Sequence, residues 1–318
     1  PRPRPPMIRP VKLVFFGSDA FATPSLSALA AAGHDIVLVV TNPDRRKGRS
    51  KKLIPTPVKE EALRLGAPVY QPEGRPRREC RERITELGAE LGVVVAYGQF
   101  LSKRVREAPS LGYSINLHGS LLPRWRGAAP VAAAILAGDV ETGVSIQRVE
   151  KEMDSGPLLL SRTESIAADD TRGGLRDRLC TIGAQALVDA VATIAAGAAT
   201  FEPQDSAGIT LATMLAKSDG ASRVDENASD LARRIQAFSP WPCAFFELAG
   251  GRLQVLSAAI AEGEGEPGTV LATEGDALRI ATGQGALDLL EVKPPGKRAM
   301  TGAAFSRGRR LAVGDLLA

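Results

Sequence analysis

The chain has 318 residues, 44% of them hydrophobic, and a formal net charge of +4 at pH 7. This length suits two domains, because a typical domain spans ~100–200 residues, and no apolar run approaches the ~20 residues that cross a bilayer, which argues against a membrane partner. Three scattered cysteines without metal-ligand spacing, and the lack of an apolar signal region, favour a cytoplasmic protein without a metal. Residues 1–10, rich in arginine and proline, predict a disordered tail.

Short apolar runs then alternate with helical segments through the first two thirds of the chain. Strands that alternate with helices predict a parallel sheet covered on both faces, which is a Rossmann-like α/β domain over residues 11–200. The dinucleotide fingerprint G-x-G-x-x-G is missing, so no dinucleotide is expected. The predicted strands are 11–16, 36–41, 69–70, 92–97, 113–118, 144–149 and 158–165, and the predicted helices are 23–32, 55–65, 130–137 and 171–196.

The last third of the chain has a different pattern. Residues 201–216 lose the periodicity and contain Pro203 and Gly208, which predicts a linker. Residues 230–238 then predict a helix with Ser229 as its N-cap. Short strands separated by glycine-rich turns follow, so we predict a small β-barrel domain over residues 217–318.

Two polar side chains stand out in the strand that ends at His118. Asn116 and His118 occupy alternate positions, so both point to the same face at the end of a strand, where ligands of open α/β sheets bind. A histidine can move a proton near neutral pH, and an asparagine amide can donate to developing negative charge. The pair indicates chemistry at a carbonyl, although it is also typical of a satisfied polar pair at a strand end.

The stretch 116–130 resembles the signature of the folate-dependent formyltransferases. Further motifs follow in the order of that family from about Val11 to the C-terminus. The resemblance implies a Rossmann-like formyltransferase domain followed by an OB-like β-barrel domain that binds tRNA. The motifs are Phe16-Gly17, Asn42-Pro43-Asp44-Arg45, Gly48-Arg49, Lys51-Lys52, Val95-Ala96-Tyr97-Gly98, Met153-Asp154-Ser155-Gly156-Pro157 and Trp241-Pro242.

The same resemblance implies the reaction and its catalytic residues. The formyl group of 10-formyltetrahydrofolate would pass to the α-amine of methionyl-initiator tRNA, a step of translation initiation. Asn116, His118 and Asp154 would then be catalytic, with the two nitrogen donors facing an oxyanion and the carboxylate orienting the imidazole. Taken alone, Asp154 before Ser-Gly is also typical of an ordinary turn.

The resemblance also implies which residues hold the substrates. Backbone groups of one segment would border the pterin, a second segment would lie along the folate, and a basic loop would approach the tRNA. Between Asp44 and Glu60, lysine and arginine outnumber acids by seven to two, although such a run is also typical of a solvated surface. The folate residues are Val95, Ala96, Tyr97, Gly98, Ser120, Leu121, Leu122 and Pro123, and the methionyl-tRNA residues are Phe21, Arg45, Lys47, Arg49, Lys51, Lys52, Lys297 and Arg298.

Other functions share parts of this pattern. A formyltransferase that acts on an amino sugar or another small amine would use the same signature, and a non-catalytic relative could bind only tRNA or folate. The two-domain length and the basic loop favour tRNA, and the complete Asn116, His118 and Asp154 set favours an enzyme. We expect a monomer whose chemical site lies wholly before Pro203. Ser50 departs from the family pattern, which has glycine there.

Overall fold

A computed structural model describes residues 9–46 and 52–317. The chain forms two compact units. The first comprises the residues up to Gly127, Thr142–Ser165 and Arg176–Leu211, and the second comprises Ala128–Glu141, Ile166–Leu175 and the residues from Ala212 onwards. Most of the predicted tail, and Lys47, Arg49 and Lys51 of the basic loop, lie outside the described residues.

The strands and helices are numbered in chain order. The strands are β1 (Lys12–Gly17), β2 (Asp35–Val40), β3 (Arg45–Arg46), β4 (Leu53–Ile54), β5 (Val69–Tyr70), β6 (Leu91–Val95), β7 (Ser114–His118), β8 (Arg126–Gly127), β9 (Glu141–Arg148), β10 (Leu158–Ser165), β11 (Leu211–Ala212), β12 (Ala244–Leu248), β13 (Gly251–Ala261), β14 (Val270–Ala272), β15 (Leu278–Ala281), β16 (Ala286–Lys293) and β17 (Met300–Thr301). The helices are α1 (Thr23–Ala31), α2 (Pro57–Arg64), α3 (Arg78–Glu86), α4 (Lys103–Arg106), α5 (Pro130–Ala137), α6 (Arg172–Ala195), α7 (Ala228–Phe238) and α8 (Gly302–Arg309).

The first unit is built on a seven-stranded sheet in the order β10-β9-β7-β6-β1-β2-β5. Strand β1 is apolar and buried from its second residue onwards, as expected for a central strand of a parallel sheet. Its neighbours β2 and β6 run parallel to it, and so do β5 beside β2 and β7 beside β6. The predicted Rossmann-like fold class is therefore confirmed. Strand β9 runs antiparallel to β7, which the apolar pattern does not reveal because periodicity carries no strand direction.

Two helices of the first unit show where composition misleads. Helix α3 is rich in charge and buries only Cys80 and Ile84, four residues apart on one helical face. Its apolar periodicity is therefore too weak to predict a helix. Judged by length and composition alone, helix α6 could cross a membrane, because its most apolar 18-residue stretch has a mean hydropathy of 1.3. Half of that stretch is buried inside the protein, which is typical of a core helix.

The second unit contains an antiparallel sheet in the order β12-β13-β16-β15-β14, and β17 pairs with β16. Helix α7 packs on β13, and its Leu231 and Ile235 enter a core with Phe246 and Leu289. This antiparallel half-barrel agrees with the small β-barrel predicted for the second domain. The predicted cap is wrong, because Ser229 lies inside α7 and Asn227 is the N-cap residue.

Candidate active site

The polar pair of β7 faces polar residues of β9. Asn116 pairs with Gln147 across the two strands, and His118 pairs with Ser145. Gln147 and His118 are almost fully buried, with 2% and 6% of their surface exposed, while Asn116 is half-buried. Buried polar groups need hydrogen-bonding partners, so this end of the sheet has to supply them from the side chains and loops nearby.

Asp154 supplies the central acceptor of this cluster. Its Oδ1 accepts from Gln147 Nε2 at 2.9 Å and from Asn116 Nδ2 at 3.4 Å. Its Oδ2 accepts from the backbone N–H of Gly127 at 2.9 Å and lies 3.5 Å from His118 Nδ1. The carboxylate thus contacts both side chains of the predicted catalytic pair. Its two shortest hydrogen bonds, from Gln147 and from the Gly127 N–H at 2.9 Å each, fix its position.

The second nitrogen of His118 faces the chain that follows β7. His118 Nε2 lies 2.9 Å from the carbonyl oxygen of Trp125. Trp125 has a φ of +61°, and its N–H donates to Thr210 Oγ1 at 2.8 Å. Both neighbours of the ring are oxygen acceptors, so one nitrogen can donate in the neutral imidazole and both can donate when the ring carries two protons.

The backbone of the turn that carries Asp154 restricts which residues can occupy it. Asp154 has a φ of +50°, a conformation that L-residues with a Cβ rarely adopt. Two residues later, a Cβ added to Gly156 would lie 1.8 Å from the carbonyl oxygen of Arg148, so only glycine fits. Gln204 Nε2 donates to the carbonyl oxygens of Asp154 at 2.8 Å and of Gly156 at 2.7 Å.

Sequence reasoning missed the residues that support Asp154. Gln147 carried a readable signal, because Ser145 and Gln147 alternate with apolar residues in a strand that is otherwise buried. Gln204 carried none, because it lies within the segment predicted as a linker and has no periodic neighbours. Gln204 lies one residue beyond Pro203, so the residues that support Asp154 extend past the segment predicted to carry the chemical site.

The two predicted folate segments differ in their free polar groups. In the first, Tyr97 is buried, and its carbonyl oxygen accepts from Asn42 Nδ2 at 3.1 Å, while the exposed Ala96 and Gly98 take φ values of +43° and +73°. Burial raises the pKa of the Tyr97 hydroxyl. The turn therefore anchors Tyr97 inside the protein and presents the backbone of its neighbours at the surface.

The second predicted folate segment is already bonded to itself and to β9. Leu122 N donates to Ser145 Oγ at 3.0 Å, and Ser145 Oγ donates in turn to the carbonyl oxygen of Ser120 at 2.8 Å. Ser120 Oγ donates to the carbonyl oxygen of Arg124 at 2.6 Å. With these groups engaged, the segment offers mainly the partly exposed apolar side chains of Leu121 and Pro123 to a ligand, while Leu122 is buried.

The predicted tRNA residues that the structure describes belong partly to the first unit and partly to the second. Phe21 is only 7% exposed, with the Arg176 guanidinium 5.3 Å above its ring, so core packing accounts for most of its surface. Arg45 is exposed in the β3–β4 hairpin, and Lys52 is exposed just before β4. Lys297 and Arg298 are exposed between β16 and β17 of the second unit.

The base of the basic loop is held by one carboxylate. Asp44 accepts from Lys59 Nζ at 2.7 Å and from Gln71 Nε2 at 2.7 Å. The hydrogen bond from Lys59, followed by that from Gln71, holds the pKa of the Asp44 carboxyl below its usual range. Across residues 9–46 and 52–317, no group of three or more His, Cys, Asp or Glu side chains could hold a metal ion.

Comparison with known proteins agrees with this fold. The family "Formyl transferase" matches residues 11–191, and "Formyl transferase, C-terminal domain" matches residues 214–310. A protein of Methylococcus capsulatus named methionyl-tRNA formyltransferase is 44% identical over 304 residues, which cover 95% of this chain and 98% of that protein.

Two solved structures share the fold at low sequence identity. An N-formyltransferase from Helicobacter canadensis, in complex with folinic acid and dTDP-3-aminofucose, has a TM-score of 0.67 and 15% identity over 88% of this chain and 98% of its own. HypX from Aquifex aeolicus, in complex with tetrahydrofolic acid, has a TM-score of 0.63 and 15% identity over 95% of this chain and 48% of its own.

The Rossmann-like unit carries a largely buried Asn–His–Asp cluster at one end of its sheet, and the family that matches this unit is one of transferases. The chain belongs to the formyl transferase family, with both the catalytic and the C-terminal domain of that family. The resemblance to the folate-dependent formyltransferases is therefore confirmed.

Proposed function

We propose that this protein transfers the formyl group of 10-formyltetrahydrofolate to the α-amine of methionyl-initiator tRNA. One observation carries the proposal: Asp154 contacts both Asn116 and His118, at 3.4 Å and 3.5 Å, in a chain that is 44% identical to a methionyl-tRNA formyltransferase along nearly its whole length. Formylation of methionyl-initiator tRNA is a step of translation initiation, so we expect the protein to act in the cytoplasm.

The reaction requires three contributions from the protein: hydrogen bonds to the oxyanion, removal of the amine proton, and protonation of N10. The amine attacks the formyl carbon, the carbon–N10 bond of the folate breaks, the amine loses a proton, and N10 gains one. Asn116 Nδ2 and the His118 ring donate to the oxyanion that forms on the formyl oxygen. Asp154 holds both donors, accepts the amine proton directly or through a water, and returns it to N10 as the carbon–N10 bond breaks. His118 Nε2 reaches an oxyanion only by exchanging its bond to the Trp125 carbonyl oxygen, as catalytic contacts often tighten only when substrate is bound.

The formyl donor fits the two segments predicted for it. Ala96 and Gly98 present backbone groups at the surface, which suit the donors and acceptors of a pterin. Leu121 and Pro123 would present apolar surface to the rest of the folate, and the buried Leu122 would support them from below. Tyr97 and Ser120 serve as anchors, because both are buried within the first unit.

The tRNA partner is proposed from charge. Arg45, Lys52 and the intervening basic loop would neutralise phosphates near the acceptor end, and Lys297 and Arg298 would do so from the second unit. Phe21 would take part in methionyl recognition only if Arg176 moves from its ring. We propose that the protein works as a monomer, which size-exclusion chromatography with light scattering tests.

An assay of acceptor choice tests the function. Purified protein is given 10-formyltetrahydrofolate with methionyl-initiator tRNA, methionyl-elongator tRNA, free methionine or a nucleotide-linked amino sugar. We expect formylation of the initiator tRNA alone at a substantial rate. Formylation of the amino sugar in its place would establish the alternative acceptor, and binding of tRNA without any transfer would establish a non-catalytic relative.

A further inference from the structure

Gln204 uses both ends of its amide, one on the Asp154 turn and the other on Arg126. Its Nε2 donates to the carbonyl oxygens of Asp154 at 2.8 Å and Gly156 at 2.7 Å, and it lies 3.2 Å from Gln147 Oε1. Its Oε1 accepts from Arg126 Nε at 3.1 Å and from Arg126 Nη2 at 2.8 Å. One side chain therefore ties together the turn, a β9 residue and the segment that follows β7.

The chemistry of these partners permits only one orientation of the amide. A guanidinium has donors and no acceptor, while a backbone carbonyl oxygen only accepts. If the amide of Gln204 were rotated by half a turn, its oxygen would face two carbonyl oxygens and its NH₂ would face Arg126. The two-pronged bond from Arg126 therefore selects the orientation in which Gln204 holds the carbonyl oxygens of Asp154 and Gly156.

The turn needs such a holder. Asp154 has a φ of +50°, and left-handed backbone at a residue with a Cβ persists only where the surroundings impose it. The carboxylate direction follows from that backbone. A change in φ at Asp154 would move its Oδ2 away from the Gly127 N–H and from the His118 ring, which lie at 2.9 Å and 3.5 Å.

We propose that Gln204, oriented by Arg126, is a positioning residue for formyl transfer and acts by holding the Asp154 turn. The proposal rests on the proposed function of the Asn116, His118 and Asp154 cluster. Gln204 does not touch the reacting atoms, so its removal acts on the rate of the chemical step through Asp154. The segment after α6 thereby becomes part of the catalytic apparatus.

Three variants of the full chain test the amide. Gln204→Met keeps the length of the side chain without its hydrogen bonds, and Gln204→Glu keeps the acceptor for Arg126 but places oxygen against two carbonyl oxygens. Both should lower kcat roughly 10–100-fold, with KM for both substrates nearly unchanged, because a misplaced group costs rate more than binding. Arg126→Lys, with a single donor group, should give a smaller loss. Wild-type kcat in Gln204→Glu would refute the proposal.

A double-variant cycle separates positioning from a general structural role. In an Asp154→Asn background, Gln204→Met should cost little further kcat, because residues that act as a unit are non-additive. A full second loss would show that Gln204 acts independently of Asp154 and would overturn the proposal. Gln185→Met is the matched control, since Gln185 is exposed on α6 and its side chain bonds to Asp189, away from the Asp154 turn.

An activity-independent readout keeps the two proposals distinct. The Gly127 N–H donates to Asp154 Oδ2, so its hydrogen exchange reports the position of that carboxylate. Gln204→Met should speed this exchange, and Gln185→Met should not. If the wild type fails to formylate methionyl-tRNA, the proposed function falls while the exchange still tests the turn. If the wild type is active and the exchange at Gly127 is unchanged in Gln204→Met, the positioning proposal alone falls.

Discussion

The polar groups of the Asp154 cluster in the first unit are largely buried, whereas those of the Lys297–Arg298 turn in the second unit are exposed to solvent. Asp154 has 13% of its side chain exposed and accepts from residues on separate strands and loops. Lys297 and Arg298 are exposed, and within the described part of the chain their side chains have no ion pair. Buried groups act through exact placement, whereas exposed cations act through charge that water and salt weaken. Substitutions in the two regions should therefore fail in different ways.

The largest effect should come from the buried cluster. His118→Ala, Asn116→Ala and Asp154→Ala should each lower kcat by ~10²–10³, because an oxyanion donor and its support act in the transition state. Folate affinity should stay near that of the wild type. Single-turnover formylation and a folate titration measure the two quantities, and near-wild-type rates in all three variants would remove the cluster from the reaction.

A smaller but still large effect should follow from Gly156→Ala. The added methyl would collide with the carbonyl oxygen of Arg148, which belongs to β9 and cannot swing aside. We expect the free energy of unfolding to fall by about 1–3 kcal/mol and kcat to fall as the Asp154 turn shifts. Chemical denaturation and formylation rates check both. Gly308→Ala is the control, because a methyl there meets nothing within 4 Å, and equal behaviour of the two variants would contradict the prediction.

These two predictions differ in how far the sequence alone supports them. Alternating apolar runs predict the Rossmann-like unit, and Asn116 and His118 share a face because strand side chains alternate. The Asp154 turn could be tied to them only through family resemblance, since no local pattern brings residues so far apart together. Gln204 lies 50 residues from Asp154 in a segment without periodicity, so only the folded chain reveals the contact.

Local rules also failed where tertiary context decides. Ser229 is a good capping residue, yet α7 begins earlier and Asn227 takes the N-cap position. At the first residue of α7, the Ala228 N–H donates to the carbonyl oxygen of Gln284 at 3.0 Å, a contact between distant parts of the chain that the local sequence does not reveal. The antiparallel direction of β9 escaped for a similar reason, since direction depends on the path of the chain between strands.

The exposed turn of the second unit should give a modest effect that depends on salt. Lys297→Ala and Arg298→Ala should lower kcat/KM for methionyl-tRNA at low salt and reduce the slope of its salt dependence by about one per lost phosphate contact. Folate affinity and kcat should not change. Lys217→Ala is the matched control, being an exposed lysine of the same unit. An unchanged salt slope in both variants would show that this turn is ordinary solvated surface.

The smallest effect should come from alkylation of the cysteines. Two of them are buried in the first unit, and the third is half-buried in the second. Burial raises the pKa of Cys80 to about 12 and that of Cys180 to about 11, both in the first unit, and burial also raises the pKa of Cys243 in the second. Because only the thiolate reacts, Cys80 and Cys180 take the reactive form only at strongly alkaline pH. At about pH 8, iodoacetamide should therefore leave Cys80 and Cys180 unmodified and formylation intact, with the half-buried Cys243 labelled first. Mass spectrometry before and after unfolding reads the labelling. Rapid loss of activity through Cys80 would mean that the core around α3 opens in the native protein.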